Sequence, residues 1–143
     1  MDDLSEDLRT GVKVLAAAMR ANGHERHDPM RAMTAHIGDR WSTLILILLA
    51  IGTFRHAELK RTVAALSAEG KISQRVLTAK LRALERDGLV HRADAASVPP
   101  VVRYSLTPMG GDFVRQVEAL HGWIAAHQDA IHAARASFDR RED

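Results

Sequence analysis

Arg75, Thr78 and Arg82, spaced three and four residues apart, carry the most specific chemistry in this 143-residue chain. A guanidinium donates through a rigid fork that matches two acceptors at once, such as O6 and N7 of guanine or two phosphate oxygens. At about 100° per residue these three side chains share one side of a helix with Ala79 and Arg86. Leu77, Leu81 and Leu84 occupy a narrow arc opposite, and the nearest acid, Glu85, stands at the boundary. Any solvated helix face shows the same period. Cations and one small hydroxyl, without acids, distinguish a face suited to phosphates and base edges. On this reading Arg75 reaches a guanine, Gln74 could instead serve an adenine, and Ser73 divides its hydroxyl between capping the helix and a phosphate. Lys60, Arg61, Arg92 and Arg103 are assigned to the DNA backbone. For Arg103, a structural pairing with an acid is the alternative.

The elements that must position these residues follow from periodicity and punctuation. Ser73 is an N-cap and Gly88 a stop, so the arginine-bearing helix spans 73–87. Before it, Leu59, Val63 and Leu66 make the inner stripe of a helix beginning near His56, and 67–71 form a turn around Gly70. After it, 89–92 and 101–106 read as strands joined by 93–100, where Val98-Pro99-Pro100 prevents regular pairing. Residues 40–51 form a helix apolar on nearly all sides, with Asp39 as a plausible cap, and 52–55 a short strand or turn. Upstream, a short helix covers 30–37. A first helix over 3–21 carries a stripe of Leu4, Leu8, Val12, Leu15 and Met19 that ends at Asn22-Gly23. Thr107-Pro108 starts a last helix reaching 138. Its stripe, Phe113, Val117, Leu120, Ile124, His127, Ile131, Ala134 and Phe138, steps by four and three, a heptad pattern broken only by His127 and softened by Ala134. So long a stripe at the chain end is most simply buried against a second copy. Leu8, Val12, Leu15, Phe113, Val117, Leu120, Ile124 and Ile131 are the expected dimer residues. The expectation is a mostly α fold with a small β-hairpin, a single domain over 1–143, with 1–22 and 107–138 as dimerisation helices and 38–106 as a DNA-binding core.

Composition supports this. An apolar fraction of 46% and a charged fraction of 27% are those of an ordinary globular domain rather than a disordered chain. The net charge of +2 is unevenly spread: nine Lys/Arg against four acids between Arg55 and Arg92 give +5 there and −3 elsewhere. That is the charge distribution of a footprint on a polyanion. The longest apolar run, 44–51, is far too short to cross a bilayer, so no membrane partner is expected. The acidic N-terminus, with Asp2, Asp3, Glu6 and Asp7, is unlike a secretory signal. With no cysteine in the chain, disulfides and thiolate metal sites are excluded and a cytoplasmic address is expected.

Several motifs in order resemble the HxlR-type winged helix-turn-helix regulators related to the MarR group. They are Ile37-Gly38-Asp39-Arg40-Trp41-Ser42-Thr43-Leu44-Ile45-Leu46, Phe54-Arg55-His56-Ala57-Glu58-Leu59, the run Ile72 to Arg82, Leu84-Glu85-Arg86-Asp87-Gly88-Leu89-Val90, and Val98 to Thr107. The resemblance implies a homodimeric bacterial transcription regulator on double-stranded DNA. One recognition helix per subunit would enter successive major grooves, with the wing, 89–106, on flanking backbone or minor groove. Two departures matter. Many members carry a cysteine just before the proline that precedes the Gly-Asp-Arg-Trp turn, and some sense oxidants or electrophiles through it; here Asp28 precedes Pro29. The family's turn before the recognition helix is usually short, whereas 64–71 here either lengthens the preceding helix or makes a looser turn.

Other chemistries fit less well. His24 and His27 fall in a link rather than on a helix. His121, His127 and His132 do not align on one helical face, so no metal or other cofactor is expected. His127 reads as a packed interface histidine, with a pH-responsive dimer contact as the alternative. Trp41 and Trp123 suit a core or interface better than a stacking platform. No phosphate loop, nucleophile elbow or carboxylate pair appears, so no enzyme is expected. A cleft between the 41–51 helix and the dimer helices leaves room for a small-molecule effector that the sequence does not specify. The alternative function is a winged module that binds protein or ligand without reading DNA; its exposed helix face would be apolar or acidic.

Overall fold

The computed structural model describes residues 3–143, which fall into two compact units, one reaching to Arg40 and one running from Trp41 to Asp143. The first holds α1 (Glu6–Asn22) and α2 (Pro29–Gly38). Ser5 sets the start of α1 by accepting from the Leu8 N–H at 3.4 Å, so the helix begins three residues later than its apolar stripe suggests. Gly23, at φ +88°, turns the chain out of α1. In the link that follows, the Asp28 carboxylate accepts from the Glu25 N–H at 2.8 Å, and Pro29 opens α2. Neither helix buries a residue: Leu8 is 57% and Leu15 59% exposed, with Val12 partly covered.

The second unit is built around α3 (Arg40–Ile51), α4 (His56–Leu66), α5 (Gln74–Arg86) and a three-stranded antiparallel sheet ordered β1-β3-β2. Ile45, Leu46, Leu48 and Leu49 of α3 join Leu59, Val63, Ile72, Leu77, Leu81, Leu84, Leu89, Val90, Tyr104, Val114 and Val117 in one core. Each such aliphatic side chain contributes about 1.5–3 kcal/mol relative to exposure. Residues 52–55 resolve into β1 (Phe54–Arg55), which pairs with β3 (Val101–Leu106) through Phe54 opposite Tyr104. β2 (Val90–Ala95) is longer than expected and runs in register with β3 from Val90–Leu106 to Ala95–Val101. Only 96–100 are left as the hairpin tip.

The turn before α5 is the looser of the two forms the sequence allowed. α4 stops at Leu66, where the Ser67 N–H still bonds the Val63 carbonyl at 2.9 Å. The Ser67 hydroxyl then accepts from the Glu69 N–H at 3.0 Å and bends the chain away. Leu66, placed in the inner stripe from periodicity, is consequently 61% exposed.

The expected single last helix is two, α6 (Pro108–Ala126) and α7 (Gln128–Glu142). The interruption is local to His127. Its N–H is shared between the Trp123 and Ile124 carbonyls, its Nδ1 lies 2.7 Å from the Trp123 carbonyl, and its ring stacks on the Trp123 indole at 4.2 Å. With ψ at 8°, His127 leaves the helical region, and the heptad stripe breaks there. Val117, assigned above to the dimer stripe, is instead 2% exposed and belongs to the core. Phe113 and Ile131 are half-buried, while Leu120, Trp123 and Ile124 on α6 and Phe138 on α7 remain exposed.

The C-terminus of α5 and the N-terminus of α6 meet through hydrogen bonds. Leu89 N–H reaches back to the Leu84 carbonyl and Gly88 N–H to that of Glu85, each at 3.0 Å, a Schellman close that needs the left-handed φ of +78° at Gly88. Thr107 caps α6 by accepting from the Gly110 N–H at 2.9 Å and donates its own hydroxyl to the Gly88 carbonyl. Its N–H bonds the Leu89 carbonyl at 3.1 Å.

Candidate nucleic-acid interface

α5 has one fully covered face and one open one. Leu77, Leu81 and Leu84 are at most 1% exposed, whereas Gln74, Arg75, Thr78, Ala79 and Arg82 line a single open groove. Ser73 starts the helix by accepting from the Val76 N–H at 3.1 Å. No salt bridge among the described residues engages Arg75 or Arg82. Both guanidinium groups therefore keep all their donors for an outside acceptor.

The residues assigned to the backbone divide into two sets. Lys60 and Arg61 of α4 line a concavity with Ala64, Lys71, Ile72 and Ser73. It puts three cations beside the positive end of the α5 macrodipole, where an anion is favoured. Lys71 was missed as a site residue: it counted toward the local charge, but only the turn conformation brings it to Lys60. Arg92 and Arg103 sit on the hairpin and are more constrained than a free backbone contact requires. Arg92 lies 3.3 Å from Asp94. A hydrogen bond with Tyr104, then the charges of Asp94 and Glu85, hold its guanidinium more firmly protonated than usual. Thr78, Leu81, Arg82, Glu85, Arg92 and Tyr104 enclose a small notch of about 150 Å³ between α5 and the hairpin. Arg103, exposed on β3, stands opposite Arg55 of β1. The backbone and side chain of Arg55 both donate to Glu58, and with the added charge of Arg103 they hold that carboxyl below its ordinary range. Arg103 adds its charge near Glu58 but forms no salt bridge among the described residues, and its side chain stays in solvent.

Thr78 is held differently from its neighbours. It is half-buried, and its hydroxyl lies 3.0 Å from Nε2 of His56, the first residue of α4. The His56 ring also tilts against Tyr104 at 6.4 Å. Burial first, and then the nearby Lys60 charge, push the His56 pKa below its ordinary 6.5. His56 falls in the 54–59 motif but received no role from it, because its bond to Thr78 spans 22 residues and two elements. Among the described residues no group of three or more His, Cys, Asp or Glu could hold a metal ion. No single helix among them is long and apolar enough to cross a membrane.

Comparison with known proteins agrees with this geometry. A family model described as HxlR-like helix-turn-helix matches residues 36–132. The HTH-type transcriptional regulator YtfH of Escherichia coli is 38% identical over 107 residues, spanning 75% of this chain and 80% of that protein. Among solved structures, ytfH from Salmonella typhimurium superposes with a TM-score of 0.63 at 36% identity, covering 78% of this chain and 95% of that one. The redox regulator HypR in its reduced form superposes at 0.62 with 32% identity, covering 74% and 99%. The family model spans more than half of the chain, and the chain belongs to the HxlR-like helix-turn-helix family of DNA-binding transcriptional regulators.

Proposed function

We propose that the chain binds double-stranded DNA as a homodimer and lays α5 of each protomer in the major groove of an inverted-repeat operator. The observation that carries this is the pair of unengaged guanidinium groups, Arg75 and Arg82, on the open face of a helix whose other face is sealed in the core. Gln74, Arg75, Thr78 and Arg82 face base edges. Ser73, Lys60, Arg61 and Lys71 meet phosphates at the start of α5, and Arg92 and Arg103 serve the flanking backbone from the wing. Two such helices about 34 Å apart, one helical repeat, read two half-sites. The whole chain acts as one regulatory domain in this reading: residues 38–106 contact DNA, and 1–22 with 107–138 supply the dimer contact. Leu8, Val12 and Leu15 of α1, Leu120, Trp123 and Ile124 of α6, and the partly covered Phe113 and Ile131, carry that contact. Exposed apolar side chains at this density on α6 favour a second copy over water.

The reading places the protein in the cytoplasm with the DNA and gives it no catalytic step. A small-molecule effector is part of the proposal, with one route closed. HypR is a redox regulator, but this chain has no cysteine, and Asp28 before Pro29 spends its carboxylate on the Glu25 N–H. Thiol oxidation therefore cannot be its input. The test is selection of duplexes from a random pool by the full-length chain, followed by binding across a salt series. The reading expects an inverted repeat and an affinity that falls steeply with salt, by about 0.9 in log–log slope per phosphate contact. Recovery of no sequence preference, or equal binding to single strands, would overturn it.

A further inference from the structure

We propose that Thr78 reads thymine through its methyl group and that His56 is the positioning residue that turns the methyl outward. This rests on α5 lying in the major groove as proposed above. A threonine offers a duplex either a hydroxyl or a methyl, and the two project from the same Cβ in different directions. Here the hydroxyl is engaged by another helix: Oγ1 lies 3.0 Å from Nε2 of His56, the first residue of α4. The side chain also lines the outer groove with Gln74, Arg75, Ala79 and Arg82. With its oxygen bonded to the imidazole, the group we assign to that groove is the Thr78 methyl. The groove thus presents guanidinium donors at Arg75 and Arg82 on either side of a small apolar patch made by Thr78 and the Ala79 methyl.

In the major groove the one apolar group that distinguishes a base pair is the C5-methyl of thymine. An apolar patch between two arginines fits a half-site in which a thymine lies between two positions read by hydrogen bonds. The His56 ring is itself held, half-buried at the start of α4 and tilted against Tyr104 of β3. The Thr78 rotamer is consequently chosen by the folded core before DNA arrives. A free serine or threonine hydroxyl would rotate to accept or donate to whatever base was present and would discriminate little.

The experiment replaces thymines one at a time by deoxyuridine, which lacks only the 5-methyl, in a duplex selected from a random pool by the full-length chain. Expected is one position per half-site at which deoxyuridine weakens binding about fourfold, the factor for one buried methyl group. Thr78→Ser keeps the hydroxyl and loses the methyl, so it should bind the thymine and deoxyuridine duplexes equally, at the wild-type affinity for deoxyuridine. His56→Ala frees the hydroxyl and should reduce the thymine preference while leaving the salt dependence unchanged. A consensus duplex with no deoxyuridine-sensitive position overturns methyl readout alone. A sensitive position that Thr78→Ser leaves intact assigns the contact to another residue and overturns it as well. Failure to select any consensus overturns base reading by α5 and this inference with it.

Discussion

Adjacent glycines at the start of α6 give a matched pair of substitutions with opposite expected signs. Gly110 is buried, and a Cβ built on it collides with the Leu89 carbonyl, a backbone atom no rotamer can move aside. Gly111, one residue on, has nothing within 4 Å of its Cβ position. In Gly110→Ala the first turn of α6 must withdraw from the start of β2. Overpacking of this kind costs about 2 kcal/mol. Withdrawal also stretches two hydrogen bonds, Thr107 N–H to Leu89 and Thr107 hydroxyl to Gly88, each worth about 1 kcal/mol. Alanine returns up to about 1 kcal/mol of helix propensity, leaving a net loss of about 3 kcal/mol. Gly111→Ala collects the propensity without the clash and gains about 0.5–1 kcal/mol. For a chain of this length the two variants should bracket the wild type in a thermal melt, Gly110→Ala lower by about 6–12 °C and Gly111→Ala higher by about 1–4 °C. Because Gly88 closes α5, Gly110→Ala should also weaken operator binding, and by more than its fraction unfolded accounts for. Equal melting temperatures for the two alanine variants would refute the close approach of α6 to Leu89 and the coupling drawn from it.

Four further outcomes test other parts of the structure. Arg75→Ala should relax preference at one base pair per half-site by about 1–3 kcal/mol, whereas Lys60→Ala should weaken all duplexes alike and lower the salt slope by about one per protomer; identical, sequence-blind losses would remove the base-reading role. Because burial and Lys60 favour the neutral form of His56 in the fold, the unfolded chain takes up that proton first as the pH falls. The contribution of His56 to stability is therefore complete above its ordinary pKa near 6.5 and declines as the pH drops through that value. Melts of wild type and His56→Gln between pH 7.5 and 5.5 should accordingly show the wild type losing ground on acidification, and parallel curves would contradict the placement of His56. Leu120→Glu and Trp123→Glu put charge on exposed apolar positions of α6, and each should convert a sedimenting dimer to monomer and reduce operator affinity; a wild-type chain that is monomeric at micromolar concentration would end the dimer reading. Finally, treatment with hydrogen peroxide or diamide at concentrations that oxidise thiols should leave DNA binding unchanged, since the chain has no cysteine; loss of binding reversed by a dithiol would refute this.

What was legible in the residues, and what was not, follows the range of the forces involved. α5 was readable because its start, faces and end are all set within a few residues: the Ser73 hydroxyl on Val76, leucines at helical spacing, and a glycine able to take positive φ. α3 matched its expected bounds of 40–51. The Thr78–His56 bond could not be read, because it needs α4 and α5 packed at a particular angle across the long 67–73 turn. The link between Arg92 and Tyr104 depends on β2–β3 register, which sets those two residues opposite each other and which alternation alone leaves open to slippage. The break at His127 is a contest within one turn, in which an imidazole nitrogen and a bifurcated N–H compete for the carbonyls that a continuous helix would use. Periodicity is blind to that contest: it marks His127 as a polar residue in an apolar stripe and says nothing of the backbone there. Val117 shows the deeper limit. Apolar spacing establishes which side of α6 avoids water but is silent on what covers it. The core takes Val114 and Val117, while Leu120, Trp123 and Ile124, three to ten residues further along the same helix, stay uncovered. The division falls where the core gives out, and that geometric fact makes the second half of α6 the most exposed apolar stretch of the stripe on which the dimer proposal draws.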